Sequence, residues 1–341
     1  MTSKKLLTAA LAALVALIII SQTGCSIKPE PVSKEGFCLD TFCTLTVYQM
    51  EDMSEERALA VIDGAYELCG EYEALLSKTI EGSDIWNVNH AAGAPVECDP
   101  ATIDVIERGI AYGDLSGGKF DITIGKVTDL WDFHAIEPKV PDRAAVEEAL
   151  THVDYKQVQV EGNTVTMADP EGEIDLGGIA KGWIADRLAE YMAEQGVTGA
   201  VIDLGGNLSI VGEKAEGQPI VAGIRKPYTQ TGEIVGSIPV SDASLVTSGV
   251  YERYFEEDGV RYHHILDPAT GFPVENGLVS VTIVGGGDGG ADCDALATIC
   301  LLLGQEEGLK LIESMEGFEA LFIDEAGTMT PTSGLTGFKA A

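Results

Sequence analysis

The sequence predicts an α+β fold. Helix-period and strand-like segments intermix along the 341 residues without a regular strand–helix–strand rhythm, which argues against a doubly wound parallel sheet. Hydrophobic residues make up 45% and aromatics 6%, an ordinary globular composition and not that of a disordered chain. The 40 glycines are well above the usual ~7%, so turns and close backbone approaches carry weight. No repeat of 20–50 residues is present, roughly the periods of solenoid and propeller arrays.

The amino-terminal end reads as an export signal. Lys4 and Lys5 precede an apolar run from Leu6 to Ile20, followed by Ser21-Gln22-Thr23-Gly24-Cys25. Residues 1–24 are thus expected to be a signal peptide, its apolar core shorter than the ~20 residues of a spanning helix. Thr23-Gly24-Cys25 is similar to a bacterial lipoprotein processing site, although Gln22 stands where an aliphatic residue is preferred. A plain signal peptide or an uncleaved anchor is the alternative. The protein is therefore expected to be exported and held at the outer face of the bacterial cytoplasmic membrane by a lipidated Cys25. Residues 25–36, with Pro29 and Pro31, read as a tether, and the folded domain is expected over 37–341.

Within that domain a strand is expected over Cys43–Tyr48. Ser54 followed by Glu55 and Glu56 caps a helix to about Leu76. Asp99-Pro100 opens another, stopped by Gly117-Gly118. A short helix from about Arg143 precedes a hairpin of Gln157–Val160 and Thr164–Met167 about Gly162-Asn163. A helix from Ile179 to Glu194 ends at Gly196. Strands follow at Gly199–Asp203, Pro219–Ile224, Glu233–Val240, Val260–Ile265 and Leu278–Val284, then a helix over Asp292–Leu303 and a strand at Ala320–Asp324. Cys38, Cys43, Cys69, Cys98, Cys293 and Cys300 show neither a CxxC nor a zinc spacing, so most are expected as buried free thiols; their pairing stays open.

Charge and motifs narrow the chemistry. The net charge is −34, and no Lys/Arg stripe compensates, so nucleic acid is excluded as the default partner. Asp175-Leu176-Gly177-Gly178-Ile179-Ala180-Lys181-Gly182 places glycines and a cation at a helix start, a geometry that admits an anion without matching a dinucleotide or Walker loop. His263-His264 adjoins the turn Asp267–Pro273; on a strand only one of the two can face a pocket. Asp294 and Thr298 are four residues apart on a helix, hard oxygen donors on one side that suit Mg²⁺. The bland alternative is that Asp292 or Asp294 only caps the helix while Thr298 packs inside.

In this order, with Gly118-Lys119-Phe120-Asp121, Asp203-Leu204-Gly205-Gly206-Asn207 and Ser248-Gly249-Val250-Tyr251 between them, these segments resemble the ApbE family of bacterial FAD:protein FMN transferases, from about Leu39 to Gly304. The resemblance implies mixed sheets packed by helices, with FAD and Mg²⁺ bound between lobes. Metal ligands would be Asp294, Thr298 and a backbone oxygen of Gly178. Leu39, Thr79, Lys119, Phe120, Asp121, Asp175, Lys181 and Ile265 would line the flavin nucleotide, with Arg225-Lys226 as a positive wall. Thr79 stands where family members often carry an aromatic ring, and Asp40 where glycine is common. His264 would be the base for a Ser or Thr hydroxyl of an acceptor protein, through its near-neutral pKa, and Asp267 would orient it. A Mg²⁺-dependent FAD pyrophosphatase and a non-enzymatic FAD-binding lipoprotein are the alternatives.

Overall fold

Antiparallel pairing organises the chain in the computed structural model, which describes residues 30–214, 217–229 and 232–341. A hairpin of β1 (Val32–Cys38) and β2 (Thr41–Met50) leads into α1 (Glu55–Leu76), α2 (Asp84–His90), β3 (Val96–Glu97) and α3 (Pro100–Ser116). Two short helices, α4 (Gly125–Trp131) and α5 (Arg143–Ala149), precede the hairpin β4 (Val158–Glu161) and β5 (Thr164–Met167). Helix α6 (Ala180–Glu194) is followed by β6 (Val197–Leu204), β7 (Asn207–Gly212), β8 (Ile220–Arg225), β9 (Ile234–Val240) and β10 (Ala243–Gly249). Then come β11 (Tyr254–Glu257), β12 (Val260–His263) and β13 (Leu278–Gly286). The last elements are α7 (Gly290–Leu303), α8 (Gln305–Glu313), β14 (Glu319–Asp324), β15 (Met329–Pro331) and β16 (Lys339–Ala340).

The main sheet has eight strands in the order β1-β2-β6-β7-β10-β13-β14-β15, and three small sheets complete the α+β fold. Among the described residues the strand pairs are antiparallel, so the sheets are not mixed as expected; the isolated bridge Ile124–Glu173 is parallel. Short turns between neighbours such as β1–β2 and β4–β5 leave no room for a parallel crossover. Pro31–Ala341 forms one compact unit, with β2–β6 and β7–β10 pairing continuous across it.

The expected caps are present. Ser54 accepts from the Arg57 amide, and Asp99 accepts from Ala101 with Pro100 in the first turn of α3. Part of the stretch expected as a tether is a strand. Residues 32–36 belong to β1, which pairs with β2 through Val32–Val47 to Cys38–Thr41. This edge strand buries little and carries Lys34 and Glu35, so it lacks the apolar alternation that announces a strand. The expected signal and lipidation site fall on residues 1–29, outside the described residues. Among the described residues no helix is long and apolar enough to cross a membrane.

Helices α6 and α7 are the elements that position the site. One core packs α1, α3 and α6 on β2 and β6 through Leu45, Ile62, Ile106, Leu188 and Ile202; a second surrounds α7 through Val281, Ile283, Leu296 and Phe322. Helix α7 starts at Gly290, two residues earlier than expected, and neither Asp292 nor Asp294 caps it. Its cap comes from α6: Asp186 accepts from the amides of Gly290 (2.8 Å) and Ala291 (3.0 Å). Burial pushes the Asp186 carboxyl from 3.8 up to about 6, although the Ala291 and Gly290 amides and Arg187 pull it back. The folded state therefore holds this proton more tightly than the unfolded chain, and stability falls as pH rises from about 4 through 6. Asp186→Asn should flatten that part of the pH profile, a contribution of roughly 3 kcal/mol for a two-unit shift. Urea unfolding at successive pH values checks it; an unchanged slope would refute the assignment.

Candidate active site

The amino ends of α6 and α7 meet glycine on glycine. A Cβ on Gly182 would collide with the Gly290 carbonyl, and one on Gly290 would strike the Gly182 carbonyl. This contact brings Asp294, buried at 2% exposure, to the first turn of α6. Its Oδ2 accepts from the Gly182 amide at 2.9 Å, and Lys181 Nζ lies 3.8 Å from its Oδ1. Thr298, one turn along α7, lines the same cavity. Gly178 completes the floor: a Cβ there would sit 2.9 Å from Phe120 Cε2 and 3.9 Å from Thr298 Oγ1. Asp294, Thr298 and Gly178 thus line one cavity, and the carboxylate, hydroxyl and side-chain-free backbone offer the hard oxygen chemistry that suits a divalent cation.

The cavity holds about 1350 Å³, more than the ~300–1,000 Å³ of an ordinary small-molecule site. Leu39, Thr79, Lys119, Phe120, Asp121, Asp175, Lys181, His264 and Ile265 all line it. The chemistry available to each differs. Asp121 accepts from the Thr123 amide and hydroxyl (2.8 and 2.6 Å) and from the Tyr155 amide (3.0 Å), so its carboxylate braces the loop. Asp175 accepts from Gly177 N (2.8 Å) and Thr128 Oγ1 (2.8 Å). Burial alone would raise its pKa, but Lys78 and these two donors hold it below the ordinary value. Leu39 and Asp40 form the two-residue β1–β2 turn at φ +53° and +54°, left-handed values unusual for leucine. The Leu39 amide is held by Glu73 at 3.1 Å.

The two histidines divide between interior and cavity. His263 is buried, with Nε2 on the Val274 carbonyl (3.1 Å) and Nδ1 accepting from the Ile265 amide (3.3 Å). His264, just past the end of β12, faces the cavity. A near-neutral pKa for it is not what the site produces. Burial first, then Arg253, His263 and Lys181, lower it to about 3. The Arg253 carbonyl, an acceptor only, lies 3.2 Å from Nδ1 and so fixes the proton there, leaving the lone pair on Nε2. Asp267 does not orient His264. Its carboxylate accepts from Lys119 Nζ (2.9 Å) and the Ala269 amide (3.0 Å).

Two cavity residues fall outside the expected site set. Lys78, between the noted Ser77 and Thr79, reaches the Gly125 carbonyl (3.1 Å), Thr128 Oγ1 (3.0 Å), Asp129, Glu173 (3.4 Å) and Asp175 (3.5 Å). These partners are 47 to 97 residues away along the chain. Glu252 lines the cavity beside Arg253, and burial raises its carboxyl to about 7 against the pull of Lys181, Arg225 and Arg253. Of the expected positive wall, Arg225 lines the cavity, whereas Lys226 pairs with Glu233 at 2.9 Å.

Comparison with known proteins finds relatives over most of the chain. A sequence model described as the ApbE family matches residues 39–322. The chain is 35% identical over 320 residues to a Treponema pallidum protein named FAD:protein FMN transferase, covering 89% of this chain and 87% of that one. A Klebsiella pneumoniae protein of the same name is 36% identical over 273 residues, 79% of this chain and 83% of the other. The crystal structure of the ApbE protein from Thermotoga maritima superposes with a TM-score of 0.80 at 31% identity, covering 89% and 97% of the two chains. The Vibrio cholerae flavin transferase ApbE gives 0.79 at 28%, covering 91% and 99%. With a family match over residues 39–322, most of its length, and relatives above 30% identity, the chain belongs to the ApbE family.

Proposed function

We propose that this protein transfers FMN from FAD to a Ser or Thr hydroxyl of an acceptor protein, releasing AMP, with Mg²⁺ as its metal. The observation that carries the reading is the convergence of Asp294, Thr298, Gly178 and Lys181 on the floor of a cavity large enough for a dinucleotide. Asp294, Thr298 and the Gly178 backbone would hold the ion, which supplies charge neutralisation at the diphosphate oxygens. In a chain at −34, Lys119, Lys181, Arg225 and Arg253 give the diphosphate local cations against an unfavourable global field.

The remaining steps belong to the side chains. His264 Nε2 accepts the proton of the acceptor hydroxyl as its oxygen attacks the FMN-side phosphorus. The bond from that phosphorus to the AMP-side bridging oxygen breaks, AMP leaves, and FMN becomes joined to the acceptor through a phosphodiester. The low pKa of His264 in the free cavity keeps it unprotonated at working pH, and a bound diphosphate would raise its basicity. A lipidated Cys25 at the outer membrane face would place the reaction beside exported acceptors.

One incubation with FAD, Mg²⁺ and a candidate acceptor domain tests the reading. Flavin fluorescence on the acceptor supports transfer. Free FMN and AMP indicate a pyrophosphatase, and unchanged FAD indicates storage. His264→Ala should slow transfer by roughly 10²–10⁴-fold, the usual worth of a positioned base, while FAD still binds. Labelling at the parental rate would remove His264 from the mechanism.

A further inference from the structure

Three thiols crowd together behind the turn that edges the cavity. Cys38 ends β1 and Cys43 lies in β2. The register pairs Cys38 with Thr41 and Gly36 with Cys43, so the two cysteines share one face of the hairpin on a diagonal. Their sulfurs are 2.7 Å apart, closer to the ~2.05 Å of a covalent S–S bond than unbonded sulfurs normally approach. Cys69 of α1 lies in the same core cluster. Tyr66 locks the arrangement from the helix: its ring packs on Gly36, and its hydroxyl donates to the carbonyls of Lys34 (3.1 Å) and Cys43 (3.0 Å). Between the two cysteines stand only four residues, among them Leu39 and Asp40, whose left-handed turn lines the cavity.

We propose that Cys38 and Cys43 are a dithiol–disulfide site that staples the β1–β2 hairpin and so holds its turn at the edge of the cavity. The oxidant is a disulfide. Two protein thiols exchange with it in turn, one S–S bond forms between Cys38 and Cys43, one breaks in the oxidant, and its two halves leave as thiols carrying both protons. The bond forms as the hairpin folds, before the sulfurs are enclosed. In the finished structure the bond from Cys43 holds the Cys38 thiol down, but Cys69, burial and Glu73 outweigh it and push it up to about 12. The bond from Cys38 and burial likewise raise Cys43. Few thiolates then exist to attack the oxidant, so an unformed staple is slow to appear, and a thiol of raised pKa is a poor leaving group, so a formed one is slow to reduce. A staple here answers a need of the turn, since its left-handed conformation is unfavourable for Leu39, and it would add to the Glu73–Leu39 bond and the Tyr66 contacts.

The test uses the full chain, refolded in a mixture of oxidised and reduced glutathione, then alkylated in denaturant without reduction and digested with trypsin. Cys38 and Cys43 fall on the single peptide Glu35–Arg57, and Cys69 on Ala58–Lys78. The expected product is the first peptide, unalkylated and lighter by two hydrogens. Recovery of that peptide with two alkyl groups, or joined to the second peptide, would overturn the site. Cys69→Ser should leave the staple intact. The effect at the cavity rests on the FAD reading and is measured separately. Reduction during unfolding and refolding should weaken FAD binding several-fold in the parental chain and leave a Cys38→Ser/Cys43→Ser variant unmoved. An equal change in that variant would disprove the coupling. Absence of FAD binding in every form would instead overturn the functional reading and leave the mapped bond standing.

Discussion

Asp294→Ala is expected to abolish FMN transfer, by roughly 10³-fold or more, the several kcal/mol that a correctly held dication contributes to charge development. Two effects combine in that change and can be separated. The buried carboxylate accepts from the Gly182 amide, and losing a buried acceptor costs about 1–3 kcal/mol of stability. It also stands 3.8 Å from Lys181 and one turn from Thr298, the arrangement proposed to grip Mg²⁺. Asp294→Asn keeps an oxygen for the Gly182 amide while removing the charge. Its Tm should therefore stay closer to the parental value than that of Asp294→Ala, while its activity is lost to a similar degree and is recovered only in part by excess Mg²⁺. Thr298→Val should give a smaller loss, because a neutral hydroxyl is the weaker of the two donors. A fully active Asp294→Asn at ordinary Mg²⁺ would show that the carboxylate serves the α6–α7 contact alone.

How far the sequence reaches is clear at this site. Asp294 and Thr298 could be paired from four-residue spacing because both lie on one helix, and a helix fixes the angle between its side chains. The Asp175–Gly182 segment was legible for the same reason: its glycines mark a helix start that admits close approach, which the Gly182–Gly290 contact and the Gly178–Phe120–Thr298 cradle use. That only one of His263 and His264 reaches the cavity was legible, although His264 lies just past β12, whereas the pKa of His264 depends on burial, Arg253 and Lys181, none of which a local pattern encodes. Asp267 was misread because it stands three residues from His264, yet the turn sends its carboxylate to Lys119. In the fold, capped helices such as α1 and α3 were read nearly to the residue. Strand β1 was missed because its stability comes from pairing with β2, and β10 because it is buried on both faces and shows little alternation.

Lys78 is the residue whose loss should cost the fold most for the least change in volume. Its side chain is 14% exposed and joins the end of α1 to α4 and to the Glu173–Asp175 segment that leads into the α6 glycines. Burial alone would lower its pKa, but Asp175, Asp129 and Glu173 more than reverse this. Lys78→Met keeps the aliphatic stem and removes the cation, leaving three carboxylates facing one another and the Gly125 carbonyl without this donor. The cost should be about 3 kcal/mol at neutral pH, the low end of breaking a buried pair, because Asp129 is more than half exposed and screened by solvent. The sign of the pH dependence follows from Asp175, whose folded pKa lies below its ordinary value. Its pairing stabilises the protein above pH ~4 and is lost as pH falls through the folded pKa. The gap between parental and Lys78→Met stability should therefore be widest near neutrality and narrow in acid, as the carboxylates take up protons. Removing one repelling charge with Glu173→Gln should recover part of the loss in the double variant, a coupling that a packing defect would not produce. Equal stability of Lys78→Met and the parental chain at pH 7, read from urea unfolding, would mean that the three segments are held by packing alone. FAD affinity offers an independent reading, since Asp175, Thr128 and Lys78 itself form one wall of the cavity. If the ammonium sets that wall, affinity should drop several-fold even at temperatures far below the variant's Tm, where the fold as a whole is intact.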